Sequence, residues 1–215
     1  MKLTYDDIVS AIVVGDFGCF TDPTSKVERA SYPIMTPSAA KSLIAQIHGK
    51  PEFNWEILKI ELLSFPKFFV ETRKEFIKKA PRKNKILINP KYRVFAKIIP
   101  EEYINLDGKK IKTPNKGELV KKHMNQFKSN IRRGKYYKNP YMGLSQYRAE
   151  ILEDDESILP VDYNDEFTMF FGFKKNRNPI FFNAKIDKGT MIVPNISEPA
   201  NNASKIIEII QGIRK

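Results

Sequence analysis

One cysteine, Cys19, and two histidines, His48 and His123, are all that 215 residues offer of the side chains most used in disulfide and zinc chemistry. A lone cysteine excludes an intrachain disulfide and every multi-cysteine zinc site, and two histidines leave a structural zinc centre short of ligands. Cys19 lies at no motif spacing from a histidine or an acid and reads as a small buried hydrophobe. Long apolar runs are also missing: nothing approaches the roughly 18 consecutive apolar residues that a membrane span requires. The opening MKLTYDDIVSAIVVGDFG sets two aspartates ahead of its apolar stretch, unlike a secretory signal. A soluble, cytoplasmic protein with no membrane partner is therefore expected. Gly15 and Gly18 in GDFGCF lack the spacing and the lysine of a phosphate-cradling nucleotide loop, and the two aspartates of GDFGCFTDP are a weak signal for a divalent ion. No cofactor and no metal are expected.

Positive charge, by contrast, is abundant. The chain carries 37 Lys and Arg against 25 Asp and Glu, a net charge of +12, with 41% hydrophobic residues. That is too apolar for a disordered polycation and too basic for indifference to polyanions, so nucleic acid leads as the class of partner. The whole excess falls within residues 65–140, and the flanking segments 1–64 and 141–215 are each slightly acidic. Two stretches in that region, TRKEFIKKAPRKNK and KKHMNQFKSNIRRGKYYK, interleave cations with Phe and Tyr. Such a mixture neutralises phosphates and offers ring faces to bases; the alternative is a solvated basic surface that happens to hold aromatics.

The length suits one sizeable core, or one domain with a small appendage. DIVSAIVVGDF reads as a strand that leads into a long loop. In TPSAAKSLIAQI, Thr36 is the cap and Pro37 the first residue of a helix with Ala40, Leu43, Ile44 and Ile47 at helical spacing; His48 and Gly49 stand at its end. FNWEILKIELLSFPKFFVETR and INPKYRVFAKII are strands separated by a basic excursion, and residues 104–118 form a polar loop. LVKKHMNQFKSNIRR is a second helix with Val120, Met124 and Phe127 along one side, ended by Gly134, and YMGLSQYRAEIL returns to the sheet. This order predicts an α+β fold with a ferredoxin-like, RRM-like split βαβ domain, whose sheet face or adjoining groove is a common RNA platform. The acidic EDDE at 153–156 marks a boundary. Residues 1–152 are read as the RNA-binding domain and 153–215 as a small, antiparallel, β-rich unit with Phe181 and Phe182 in its core and a short terminal helix.

GDFGCFTDPTSKVERASYPIMTPSAAKSLIAQIHGKP, taken with RRGKYYKNPYMGLSQY and PIFFNAKIDKGTMIVP, resembles the CRISPR-associated Cas five family, most closely its subtype I-C branch. The likeness runs through most of the chain in the same order, and CFTDP, SY, TPSAA and KP form its most specific part. The resemblance implies a metal-independent endoribonuclease that cuts precursor CRISPR RNA at the base of the repeat hairpin and then keeps the 5′ handle within a surveillance complex. It also implies partners: CRISPR repeat RNA, the mature crRNA 5′ handle, the other subunits of a type I complex, and target DNA as an open contact. The family's catalytic tyrosine falls on His48, and its adjacent lysine and histidine fall on Lys122 and His123. The alternative function is a noncatalytic subunit that binds the handle.

Cleavage of RNA without metal needs a base for the 2′-hydroxyl, a cation for the phosphoryl charge and an acid for the departing 5′-oxygen. Imidazoles titrate near pH 6.5, so His48 and His123 are expected to share base and acid work while Lys122 stabilises the charge. Other roles stay open beside these: His48 also suits the last carbonyls of a helix, and His123 suits a phosphate contact. Tyr32 either stacks on a base or packs, and either Lys121 or Lys122 faces the substrate. Arg132, Arg133 and Lys135 complete the expected RNA contacts.

Overall fold

The computed structural model describes residues 8–23, 29–74, 81–104, 110–111, 115–174 and 176–195. In chain order its elements are β1 (Ile8–Val14), β2 (Phe17–Gly18), β3 (Arg29–Ala30), α1 (Pro37–Ile47), β4 (Phe53–Leu62), β5 (Lys67–Lys74), β6 (Pro81–Ile88) and β7 (Lys91–Pro100). There follow β8 (Tyr103–Ile104), β9 (Lys110–Ile111), α2 (Lys116–Arg133), β10 (Glu150–Leu152), β11 (Asp165–Phe173), β12 (Pro179–Asp187) and β13 (Thr190–Ile192). The terminal helix expected near residue 200 lies outside the described residues. Among the described residues, no helix is long and apolar enough to cross a membrane.

Both helices start and stop for local reasons. Thr36 Oγ1 accepts a hydrogen bond from the Ala39 N–H at 3.3 Å, and Pro37 sits where its missing N–H costs nothing. Leu43, Ile44 and Ile47 turn inward, each burial contributing about 1.5–3 kcal/mol. α2 begins one turn before the expected start, because Asn115 caps it by accepting from the Glu118 N–H. The last residues of the polar stretch 104–118 are thus helical. Gly134 closes the helix in the left-handed region, at φ 59°, where a side chain would be strained.

The strands β1, β4, β7 and β10, with α1 after β1 and α2 after β7, build the ferredoxin-like unit. Its fourth, first, third and second strands lie side by side, all antiparallel, as β10-β1-β7-β4. Alternation sorts their side chains. Val9, Ala11, Val13, Tyr92, Val94 and Ala96 join the inward residues of both helices in one core. Beyond β4 the same sheet continues through β13, β12 and β11, so strands on both sides of residue 152 share one hydrogen-bonded surface. Phe181 and Phe182, expected in the core, are half-buried, each edge-on to a single ring of β11: Phe170 and Phe171 respectively.

The basic excursion contains a second antiparallel pair. β5 and β6 run together from Lys67 opposite Ile88 to Lys74 opposite Pro81, and β2 and β3 join them in a separate sheet. The acidic run after β10 is fastened to the sheet face opposite the helices. Arg93 there binds Glu61 and Asp154 at 2.6 Å each and donates to the backbone carbonyls of Asp155 and Ile158.

Candidate active site

The end of α1 is held from three directions. A helix leaves its final carbonyls without intrahelical partners. Here the Gln46 carbonyl accepts from the Lys138 N–H at 3.0 Å, the Ile47 carbonyl from Asn130 Nδ2 at 3.1 Å, and the His48 carbonyl from Trp55 Nε1 at 2.7 Å. The loop after α2, α2 itself and β4 each supply one donor, and the His48 N–H donates to the Ile44 carbonyl at 3.1 Å, so His48 is fixed both by its own helix and by tertiary structure. Gly49 allows the turn that follows, since a Cβ there would stand 2.8 Å from the Ala45 carbonyl oxygen. His123 belongs to the buried stripe of α2, with Val120, Met124 and Phe127, and that stripe carries its ring to the end of α1. Phe53 packs against both imidazoles, with ring centroids 5.7 Å from His48 and 4.8 Å from His123.

The two histidines touch. His48 Nε2 lies 2.9 Å from His123 Nδ1, and His123 Nε2 lies 2.6 Å from Glu52 Oε1. Both rings are nearly enclosed, at 5% and 4% exposure. Burial pushes the His48 imidazole down from 6.5 to about 4, with His123 and Lys50 adding to the effect and Glu52 opposing it, so His48 is neutral at neutral pH.

These groups line an open cleft of about 580 Å³ between the C-terminus of α1 and α2. Lys122, Gln126 and Asn130 rise along its α2 wall at four-residue spacing, and Lys50 and Lys135 add further cations. Of the two neighbouring lysines, Lys122 lines the cleft and Lys121 is not among its lining residues. Tyr137 lines the cleft with 70% of its surface exposed, and Lys138 Nζ stands 5.9 Å from its ring centre.

Other expected RNA contacts lie elsewhere. Tyr32 stacks on Phe167 with centroids 5.8 Å apart, and its hydroxyl donates to Asp22 and accepts from the Phe170 N–H, so its ring is packed outside the cleft. Arg132 pairs with Glu153 at 2.7 Å across the other flank of α2, and Arg133 is exposed in the last helical turn, also outside the lining. Sequence reasoning missed Glu52, Lys50, Gln126, Asn130 and Tyr137. Glu52 had a signal, four residues after His48 in HGKPE, but no periodic pattern spans the turn between them. Among the described residues, no group of three or more His, Cys, Asp and Glu is placed to hold a metal ion.

A family model described as CRISPR-associated protein (Cas_Cas5) matches residues 9–138, more than half of the chain. The chain belongs to the Cas5 family. Within it, this Cas5 protein falls in the Cas5d branch of type I-C. It is 30% identical over 206 residues to the CRISPR pre-crRNA endoribonuclease Cas5d of Mannheimia succiniciproducens, covering 84% of this chain and 92% of the relative. The protein of the same name from Thermus thermophilus is 27% identical over 204 residues, covering 85% and 89%. A solved structure of a CRISPR-associated protein matches the Cas5 chain with a TM-score of 0.69 at 18% identity, covering 89% of it and 93% of the other. The structure of SMU1763c from Streptococcus mutans, functionally uncharacterized, matches at 0.64 and 19%, covering 89% and 94%. These last two likenesses bear on the fold, and they agree with the ferredoxin-like unit.

Proposed function

We propose that this protein is a precursor CRISPR RNA endoribonuclease that cuts at the base of the repeat hairpin by 2′-hydroxyl attack and retains the 5′ handle. The observation that carries this reading is the meeting of His48 and His123, the chain's two histidines, beside Lys122 in a chain related over most of its length to proteins named for that reaction. The histidine pair removes the 2′-hydroxyl proton and the 2′-oxygen attacks phosphorus. The bond from phosphorus to the 5′-oxygen breaks as the pair gives a proton to that oxygen, and the fragments carry a 2′,3′-cyclic phosphate and a 5′-hydroxyl. Lys122 offsets the charge on the phosphoryl oxygens, and Lys50, Lys135 and Tyr137 hold the flanking nucleotides by charge and stacking. Side chains supply every role in this scheme, so the reaction needs no metal or cofactor. Repeat RNA, the mature handle, the other type I complex subunits and target DNA are the proposed partners, in the cytoplasm.

A noncatalytic handle-binding subunit is the second reading, favoured by the near-complete burial of both imidazoles. Labelled cognate hairpin RNA, incubated with the protein in excess EDTA beside His48→Ala and His123→Ala, separates the two. A single cut ending in a cyclic phosphate, lost in the variants while binding persists, supports the nuclease. Tight binding with no cut supports the second reading.

A further inference from the structure

Of the four ring nitrogens in the histidine pair, three have protein partners, and the bonding pattern orders their protons. An ionised carboxylate only accepts hydrogen bonds, so His123 Nε2, 2.6 Å from Glu52 Oε1, carries a proton. In a neutral His123 the opposite nitrogen, Nδ1, is then bare and accepts from the Nε2–H of His48 at 2.9 Å. A neutral His48 with its proton on Nε2 has a bare Nδ1. That nitrogen has no protein partner among the described residues, and His48 lines the open cleft.

We propose that Glu52, His123 and His48 form a proton relay in which His48 Nδ1 is the one nitrogen that meets RNA, while His123 and Glu52 are positioning residues that act through it. The inference rests on the nuclease reading and sharpens it from a base and acid pair to one contacting base with two supports. The O–H bond of the 2′-hydroxyl breaks and its proton joins His48 Nδ1 as the bond from the 2′-oxygen to phosphorus forms. The Nε2 proton of His48 crosses to His123 Nδ1, so the positive charge rests on His123 against Glu52. The charged groups facing the pair are Glu52, Lys50, Lys122 and Lys135. A cation held on His48 would face Lys50, which already disfavours it. When the bond from phosphorus to the 5′-oxygen breaks, the two transfers reverse. His48 Nδ1 returns its proton to that oxygen, and the starting tautomers are restored with no other reactant. This is the logic of a nucleophile's base oriented by a third group.

Two histidines make the test direct, because protein labelled with nitrogen-15 in histidine yields two ring systems. Long-range proton–nitrogen spectra at neutral pH, taken without RNA, are expected to show both rings protonated on Nε2 and bare on Nδ1. A proton on Nδ1 of either neutral ring overturns the relay. The second arm measures single-turnover cleavage of hairpin RNA across pH for Glu52→Gln and Glu52→Asp. Glutamine keeps an acceptor but loses the charge that stabilises the imidazolium. The rate is expected to fall roughly 10–100-fold with RNA affinity unchanged, the acid limb of the profile to move to lower pH, and aspartate to restore part of the rate. A wild-type rate and profile in Glu52→Gln overturns the relay while the nuclease stands. Absence of cleavage by the wild-type protein overturns the nuclease, and with it any catalytic role for the relay, whatever the tautomers.

Discussion

Arg93→Met is the perturbation whose cost follows most directly from geometry. The guanidinium is 6% exposed and has no other solvation than its partners: Glu61 at 2.6 Å, Asp154 at 2.6 Å and the carbonyls of Asp155 and Ile158 at 2.6 and 2.7 Å. Methionine preserves much of the packing volume but removes all four bonds. Glu61, 1% exposed, keeps Lys59 at 2.8 Å but loses the guanidinium, so a positive charge is withdrawn from beside two carboxylates in a dry place. Removing one partner of a buried pair costs about 3–5 kcal/mol. For a domain whose total stability is about 5–15 kcal/mol, that is a large share, and it corresponds to a melting temperature lower by roughly 6–20 °C. Urea unfolding gives the free energy, and limited proteolysis within residues 153–164 reports whether the strap has detached. A triple variant, Arg93→Met with Lys59→Met and Glu61→Leu, is expected to recover part of the loss, since an apolar set needs no compensating charge. A single variant within about 1 kcal/mol of wild type, with unchanged proteolysis, refutes the anchoring role.

Four further outcomes are expected. Gly143→Ala should destabilise strongly, because Gly143 sits at φ 80° and an added Cβ would fall 2.0 Å from the Cys19 carbonyl oxygen; thermal melting checks this. Tyr137→Ala should weaken RNA binding by about 1–3 kcal/mol, the worth of one stacked base, while the cleavage rate at saturating protein is unchanged. Lys122→Ala should lower the single-turnover rate constant, whereas Lys121→Ala should change only affinity and the salt dependence of binding, which becomes shallower as fewer phosphates are neutralised. Stability should decline as pH falls from about 6.5 to about 4: His48 is held at about 4 when folded and returns to 6.5 when unfolded, so between those values the unfolded chain binds the extra proton. His48→Gln should flatten that limb in urea titrations.

The parts of this molecule that were legible in the sequence are those set by neighbours along the chain. Thr36 and Pro37 announced α1, Gly134 announced the end of α2, and the strand and helix order was enough for the ferredoxin-like unit. β6 was illegible because its first five residues, PRKNK, hold three cations and a leading proline, while its place comes from main-chain hydrogen bonds to β5 that any residue with an N–H can make. The acidic run at 153–156 read as a boundary because its partner, Arg93, is 61 residues distant from Asp154. The same limit shaped the view of the site. Resemblance nominated His48, Lys122 and His123, and helical periodicity put Val120, Met124 and Phe127 along one side of α2 without saying what faced them or that His123 is buried beside them. What turns three residues into a site is the packing of the end of α1 against the inward face of α2. That packing depends on Trp55, Asn130 and the Lys138 backbone, each donating to a different carbonyl of the same helix end. Glu52 enters by the same closure, because the turn that carries the chain from α1 into β4 passes beneath His123. A carboxylate four residues beyond a helix cap is ordinary as sequence; its bond to a buried imidazole exists only once β4 and α2 have packed, so its role could be read only from the folded chain.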